Sequence, residues 1–137
     1  MAVVRPFKGL RPKQNLADKV ASLPYDVMNR QEAKEMADGN DLSFLHVVRP
    51  EIDLDDSVDI HDKKVYETAR KHLDKFQQEG IIVQENKPVY YIYRQLMYGR
   101  VQTGLVACTS IDDYANNIIK KHEFTRPEKE QDRINNF

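Results

Sequence analysis

The clearest periodic pattern of hydrophobic positions lies between residues 62 and 80. Apolar side chains recur there at the spacing of one helix face, over about three turns. This face consists of Val65, Tyr66, Ala69, Leu73 and Phe76. Gly80 follows them, and glycine commonly adopts the left-handed conformation that ends a helix. The pattern predicts one long amphipathic helix that packs on the core.

Two further helices are indicated by residues that cap helix N-termini. Asn29 and Glu32 form a capping-box pattern at the start of NRQEAKEMADG, and Gly39 is the expected stop. Ser110 and Asp113 predict a short helix over IDDYANNI in the same way. Such side chains favour a helix start because they bind backbone N–H groups that the first turn leaves free.

Other apolar runs predict strands. Residues 3–12 are expected to be extended, and SFLHVVRP is interpreted as a strand that Pro50 ends. VYYIYRQLMY and VQTGLVACTSI, separated by Gly99 and Arg100, predict an antiparallel hairpin. The acidic segment EIDLDDSVDIHD has neither period and is expected to be a loop.

The side chains of the hairpin favour a buried position. Tyr90, Tyr91 and Tyr93 place large groups on both faces of one strand, which is typical of a core strand. Cys108 lies in an apolar strand, where burial is expected. The expected fold is α+β: one domain, residues 1–137, with a small mixed or antiparallel sheet, a central hairpin at about 89–109 and two to four helices packed on it.

Composition narrows the classes of function. Of the 137 residues, 40% are hydrophobic and 31% are charged, and the net charge is -1. This balance does not favour bulk attraction to nucleic acid or to a membrane surface. No apolar run approaches the ~20 residues that a membrane helix needs. A single cysteine fits a reducing compartment, so we expect a cytoplasmic protein.

Two further sets of residues contain side chains that can form sites. The four histidines do not show the spacing of zinc ligands, so no metal site is predicted. Pro24 fixes an extended backbone before Tyr25 and Asp26, which could present a hydroxyl and a carboxylate to a ligand amine or a metal-bound phosphate. A local turn with Tyr25 packed on the core is the alternative.

The segment KKHEFTRPEKEQDR predicts a capped helix with a basic stripe. Thr125 and Glu128 match a capping box, and the helix is expected to begin at Arg126. Arg126, Lys129 and Arg133 then lie within about 60° of arc. Free N–H groups and cationic side chains together favour a phosphate or carboxylate. A surface helix with partly paired charges is the alternative.

Two residues just before this helix are candidates for acid/base or ligand contact. His122 and Glu123 precede the cap and could reach the same place. The candidate site therefore consists of His122 and Glu123 as catalytic groups, with Tyr25, Asp26, Thr125, Arg126, Lys129 and Arg133 as substrate- or phosphate-binding groups.

Five ordered segments of the chain carry a resemblance to a known family. They are SLPYDVMNRQEA, FLHVVRPEIDL, VYYIYRQ, GLVACTSIDDY and IKKHEFTRPEKEQDR. In this order and at about these separations, they resemble the N-terminal third of domain of unknown function 1015 (DUF1015). The resemblance covers nearly the whole chain, and its most specific parts are PYDV and HEFTRPEKEQDR.

The resemblance implies more than the residues alone. Full-length members carry a downstream Asp-Gly-His-His-Arg motif similar to that of ParB/sulfiredoxin-like free-serine kinases. This implies ATP-dependent phosphorylation of a small hydroxy amino acid, with magnesium, on a fold of which this chain holds an incomplete part. The motif is absent from this sequence, so residues 1–137 alone are expected to be inactive. Apolar residues near the end, Ile134 and Phe137, are expected to permit self-association.

A second hypothesis assigns the chain to a different functional class. ParB-like folds also serve DNA-binding regulators, so a non-catalytic regulatory or interaction domain is the alternative function. The near-neutral charge argues against nucleic acid as the partner. A nucleotide or an amino acid is the expected small-molecule partner.

Overall fold

Residues 1–136, the part of the chain that this computed structural model describes, contain helices and short strands. The helices are α1 (Ala17–Val20), α2 (Arg30–Ala37), α3 (Leu45–Val48), α4 (Lys63–Gln78), α5 (Ile111–Ala115) and α6 (Pro127–Asn136). The strands are β1 (Val4–Arg5), β2 (Leu10–Pro12), β3 (Ile82–Gln84), β4 (Tyr91–Met97), β5 (Arg100–Val106) and β6 (Cys108–Thr109). Helices and small two-stranded sheets confirm the α+β class.

The chain forms two units. The strand unit consists of residues 1–11 and 84–124, and the helical unit of residues 12–83 and 125–136. In the strand unit, β1 pairs with β6 and β4 pairs with β5, both antiparallel. β2 pairs with β3. Phe137 lies outside the residues described, whereas Ile134 is exposed as expected.

The helical unit has two clusters of buried side chains. One cluster contains Val20, Val47, Phe76, Ile81 and Ile82, and the other contains Met28, Ala33, Ala37, Leu45 and Ile52. α3 contributes to both, because Val47 belongs to the first and Leu45 to the second. Within residues 1–136, no helix combines the length and apolar character that crossing a membrane requires.

The two main helices of this unit follow the sequence pattern. In α2 the side chain of Asn29 accepts from the Glu32 N–H, and the Glu32 carboxylate accepts from the Asn29 N–H at 2.7 Å. In α4 the buried residues include Val65 and Phe76 from the predicted apolar face. The capping-box helix and the long amphipathic helix are therefore confirmed.

The prediction of a strand at SFLHVVRP is wrong. Residues 45–48 form α3, and Pro50–Asp53 form a 3-10 turn directly after it. Phe44, Leu45, Val47 and Val48 are spaced as one helix face as well as a run of strand formers. Burial between two clusters decides for the helix, since tertiary packing overrides the preference of β-branched residues for strands.

The predicted hairpin is confirmed, but the burial of its side chains is not. β4 and β5 pair from Tyr91 with Val106 to Met97 with Arg100. Tyr90 and Tyr93 are nevertheless 49% and 58% exposed, and Cys108 is exposed as well. Large groups on both strand faces indicate a core only where another layer covers each face, and the sequence of a strand does not report that layer.

Tyr91 holds the N-terminal segment within the strand unit. Its hydroxyl oxygen accepts from the Gly9 N–H at 2.7 Å, and its ring lies 5.0 Å from that of Phe7. A Cβ atom at Gly9 would lie 2.6 Å from the same hydroxyl oxygen. Glycine is therefore required for this close approach.

Arg30, the first residue of α2, binds the 3-10 turn at Glu51 and the segment that follows it. Its guanidinium donates to five backbone carbonyl oxygens at 2.7–3.3 Å. These belong to Glu51, Leu54, Asp55, Asp56 and Val58. A segment without regular structure has its carbonyl groups satisfied by one side chain, which fixes its path against α2.

We expect Arg30→Ala to lower the free energy of unfolding by about 2–4 kcal/mol, because several carbonyl groups lose a charged donor at once. Arg30→Lys should recover part of this loss, since an ammonium group cannot match the planar fork. Urea unfolding followed by circular dichroism measures both.

Lys34→Ala is the matched control. Its ammonium lies 3.7 Å from Asp56, and its side chain is 50% exposed. Removing such a surface pair should change the unfolding free energy by no more than about 0.5 kcal/mol. Equal effects of Arg30→Ala and Lys34→Ala would contradict the role assigned to Arg30.

Candidate functional site

A cavity of about 310 Å³ lies within the helical unit. It is bordered by the segment 25–28, the end of α3 and the 3-10 turn, the start of α4 with the residues before it, and one face of α6. The polar and charged residues that line it are Tyr25, Asp26, Arg49, Glu51, His61, Tyr66, Glu128, Lys129, Asp132, Arg133 and Asn136. The volume is at the low end of the range for small-molecule pockets, so the cavity suits a small ligand.

Two arginines hold Tyr25 at the cavity. The guanidinium carbon of Arg133 lies 3.9 Å from the centre of the Tyr25 ring, within the range of a cation–π contact. Arg49 donates from Nη1 to the Tyr25 carbonyl oxygen at 3.0 Å. The ring and the backbone of Tyr25 are therefore each fixed by a cation.

Arg49 is itself oriented by a buried carboxylate. Its Nε lies 2.7 Å from Oε1 of Glu51, and these side chains are only 16% and 6% exposed. The Glu51 carbonyl oxygen accepts from Arg30 at 2.7 Å. The sequence RPE thus places a paired arginine at the cavity wall, a residue that no pattern in the sequence indicated.

Asp132 is the centre of a hydrogen-bonded group on α6. Its carboxylate accepts from the Tyr66 hydroxyl at 2.9 Å, pairs with Arg133, and lies 3.3 Å from Nδ1 of His61. Burial raises the pKa of Asp132, but hydrogen bonds from Arg133 and Tyr66 outweigh this and lower the pKa below its usual value. Asp132 is therefore held as a carboxylate.

The Tyr66 hydroxyl shows the opposite shift. Burial, together with the hydrogen bond to Asp132 and the charge of that carboxylate, raises the pKa of Tyr66. Tyr66 thus remains a neutral donor at neutral pH. The sequence pattern assigned it to the apolar face of α4, and its hydroxyl at the edge of that face is a site feature that the pattern missed.

The structure brings together four of the predicted site residues. Tyr25, Asp26, Lys129 and Arg133 line the same cavity. Nζ of Lys129 lies 3.5 Å from Oδ2 of Asp26, and both side chains are more than 40% exposed. This pair is loose enough for a ligand to replace it.

The other four predicted residues do not line the cavity. Thr125 and Arg126 belong to the helical unit, whereas His122 and Glu123 belong to the strand unit. α6 begins at Pro127, one residue later than expected. The Thr125 hydroxyl donates to the Glu130 carboxylate at 2.8 Å instead of serving the predicted pair with Glu128.

The face of α6 at the cavity is wider than the predicted basic stripe. Glu128 and Asp132 line the cavity beside Lys129 and Arg133, although the stripe placed the acidic residues on another side. Residues 128, 129, 132, 133 and 136 cover an arc of about 140°, which includes both charge signs. The helix therefore presents both signs of charge to the cavity, and not the basic stripe alone.

The balance of charge in the lining determines which class of ligand the cavity can bind. Its lining contains three cations, Arg49, Lys129 and Arg133, and four carboxylates, Asp26, Glu51, Glu128 and Asp132. A bare anion would meet repulsion from the carboxylates as well as attraction from the cations. A zwitterion, with an ammonium and a carboxylate on one small molecule, can satisfy both.

Comparison with known proteins identifies the family. The family model described as "Protein of unknown function (DUF1015)" matches residues 4–137. The chain therefore belongs to this family, as the resemblance indicated. Neither the curated proteins nor the solved structures gave a match.

We expect Asp132→Asn to lower the free energy of unfolding at pH 6 by about 1 kcal/mol, because the carboxylate loses its charge-assisted hydrogen bonds. The folded pKa of Asp132 is depressed, so its contribution is present above the unfolded value, near 3.9, and is lost as pH falls through the folded pKa. The difference between variant and wild type should shrink from pH 6 to pH 3.

Asp38→Asn, at an exposed position after α2, is the control and should show little difference at either pH. Urea unfolding of all three proteins at both pH values provides the comparison. A cost of Asp132→Asn that stays constant between pH 6 and pH 3 would contradict a depressed pKa.

Proposed function

We propose that the helical unit binds a small zwitterionic amino acid in its cavity, and that this is the substrate-binding part of an ATP-dependent small-molecule kinase that acts on a free serine-like substrate. The observation that carries the proposal is the mixed charge around a cavity of about 310 Å³. The kinase class comes from the resemblance to free-serine kinases stated above. The cytoplasmic location expected from the sequence is part of the same proposal.

Each end of an amino acid has a matching partner in the cavity. The Asp26 and Glu128 carboxylates suit an ammonium group, and the Lys129 and Arg133 cations suit a carboxylate or a transferred phosphate. Because Lys129 and Asp26 are only loosely paired, a zwitterion can insert between them and keep both charges compensated.

The cavity is small for a whole nucleotide. We therefore propose ATP as a co-substrate of which only the terminal phosphates reach this site. Magnesium prefers oxygen ligands and is commonly held by one or two carboxylates together with substrate phosphates. Glu128 is the residue that would hold it while Asp26 keeps the ammonium group, and the ion would neutralise charge on the transferred phosphate. Residues 1–137 lack the Asp-Gly-His-His-Arg motif, so we expect binding without phosphoryl transfer.

The binding test is an NMR titration of the ¹⁵N-labelled chain with L-serine and O-phospho-L-serine, each with and without ATP and magnesium. We expect chemical-shift changes at Tyr25, Asp26, Lys129 and Arg133. Arg133→Gln should weaken binding about 10- to 100-fold, which corresponds to the loss of one charged hydrogen-bonding group.

Arg94→Gln is the control, since Arg94 is exposed on the hairpin of the strand unit and should leave ligand affinity unchanged. The fold of each variant is checked by circular dichroism. No shifts at the cavity with either amino acid, or equal losses in both variants, would refute the proposal.

A non-catalytic interaction domain is the second candidate, and the exposed hairpin favours it. Ile92, Leu96 and Leu105 are 72%, 73% and 60% exposed. Exposed apolar side chains that lie together are typical of surfaces that bind another protein. Concentration-dependent self-association without any response to amino acids would support this candidate. The net charge of -1 gives no support to DNA as the partner.

A further inference from the structure

Three side chains from separate elements of the helical unit converge apart from the lining of the cavity. His46 lies on α3, Asp53 ends the 3-10 turn, and His72 lies on α4. One donor atom from each lies within 4.8 Å of the others. The same carboxylate oxygen, Oδ2 of Asp53, lies 2.8 Å from Nδ1 of His46 and 3.0 Å from Nε2 of His72.

The other nitrogen of His46 fixes which atom faces the cluster. Nε2 lies 3.2 Å from the carbonyl oxygen of Asn40, which can only accept a hydrogen bond. A proton on Nε2 satisfies that carbonyl and leaves the lone pair of Nδ1 directed at Asp53. Metal-ligating histidines commonly show this arrangement, in which a backbone carbonyl holds the distal N–H.

A lone pair and a carboxylate oxygen at 2.8 Å repel each other unless a positive charge lies between them. Either a proton or a metal ion can supply that charge. With a second imidazole nitrogen at the same oxygen, hydrogen bonding needs one proton on each ring, whereas a single cation joins all three atoms.

The distances suit a cation after a small adjustment. Bonds of about 2.0–2.1 Å from a metal to nitrogen and oxygen place neighbouring ligand atoms about 3.0–3.4 Å apart. The two separations at Asp53 need to open by a few tenths of an ångström, and the two imidazole nitrogens, which lie within 4.8 Å of each other, need to reach the same range. The Asp53 and His72 side chains are 29% and 27% exposed, so they have room to move, whereas His46 is 12% exposed and fixed.

We propose that His46, Asp53 and His72 form a binding site for a divalent transition-metal ion. Two imidazoles and one carboxylate favour zinc, iron(II) or manganese(II) over calcium, which prefers oxygen ligands alone. Three protein ligands leave at least one coordination position for water or a substrate atom. The site is independent of the amino-acid cavity, so it stands or falls separately from the proposed function.

The test uses the full chain after treatment with a chelator and dialysis. Titration with Co²⁺ should give visible absorption bands of a bound ion, and calorimetry with Zn²⁺ should give one site per chain. A long-range ¹H–¹⁵N spectrum should show His46 protonated at Nε2 and metal-bound at Nδ1. Zinc should also raise the melting temperature.

His72→Asn and Asp53→Asn should each weaken zinc binding by more than about 10-fold, because losing a direct ligand exceeds the cost of losing an orienting partner. Both positions are partly exposed, so the variants should fold, and circular dichroism without metal verifies this. His122→Ala, an exposed histidine of the strand unit, is the matched control and should bind zinc as the wild type does.

Failure of the wild type to bind Co²⁺ or Zn²⁺ would overturn the proposal and leave a proton-linked hydrogen-bond cluster. Binding that persists unchanged in His72→Asn and Asp53→Asn would overturn it as well, since the ion would then be held by other histidines. A loss in these two variants with retention in His122→Ala supports it.

Discussion

Five backbone carbonyl groups converge on the guanidinium of Arg30, and the functional features of the helical unit depend on this interaction. The segment from Leu54 to Val58, after the 3-10 turn, has no regular hydrogen-bond ladder, so its path needs a donor from elsewhere. Arg30 supplies that donor from the first turn of α2, which Asn29 caps. The segment is thereby fixed between the 3-10 turn and the start of α4.

The same short region, α3 with its 3-10 turn, serves two sites in different directions. Arg49 and Glu51 face the cavity, where Arg49 holds the Tyr25 backbone. His46 and Asp53 face α4 and meet His72. Within a few residues, side chains thus alternate between the amino-acid cavity and the proposed metal site, because a helical turn points successive groups about 100° apart.

Local signals predicted the parts of the fold that local physics controls. The Asn29–Glu32 capping box and the apolar face of α4 were predictable because each involves residues within a turn or two. α3 was not, since its burial between two clusters outweighs the strand preference of its residues. At the site, the helical spacing of the sequence predicted Lys129 and Arg133. It did not predict that Tyr66, Arg49 and the acidic residues of α6 would line the cavity as well.

The sequence by itself determined the family, the α+β class, the main helices, the hairpin and half of the candidate residues at the cavity. These follow from short-range spacing and ordered motifs. Only the tertiary structure decided the pairing of charges across the cavity and the meeting of His46, Asp53 and His72. The reason is physical: such contacts depend on how distant elements pack, and residue spacing along the chain carries no signal of that distance.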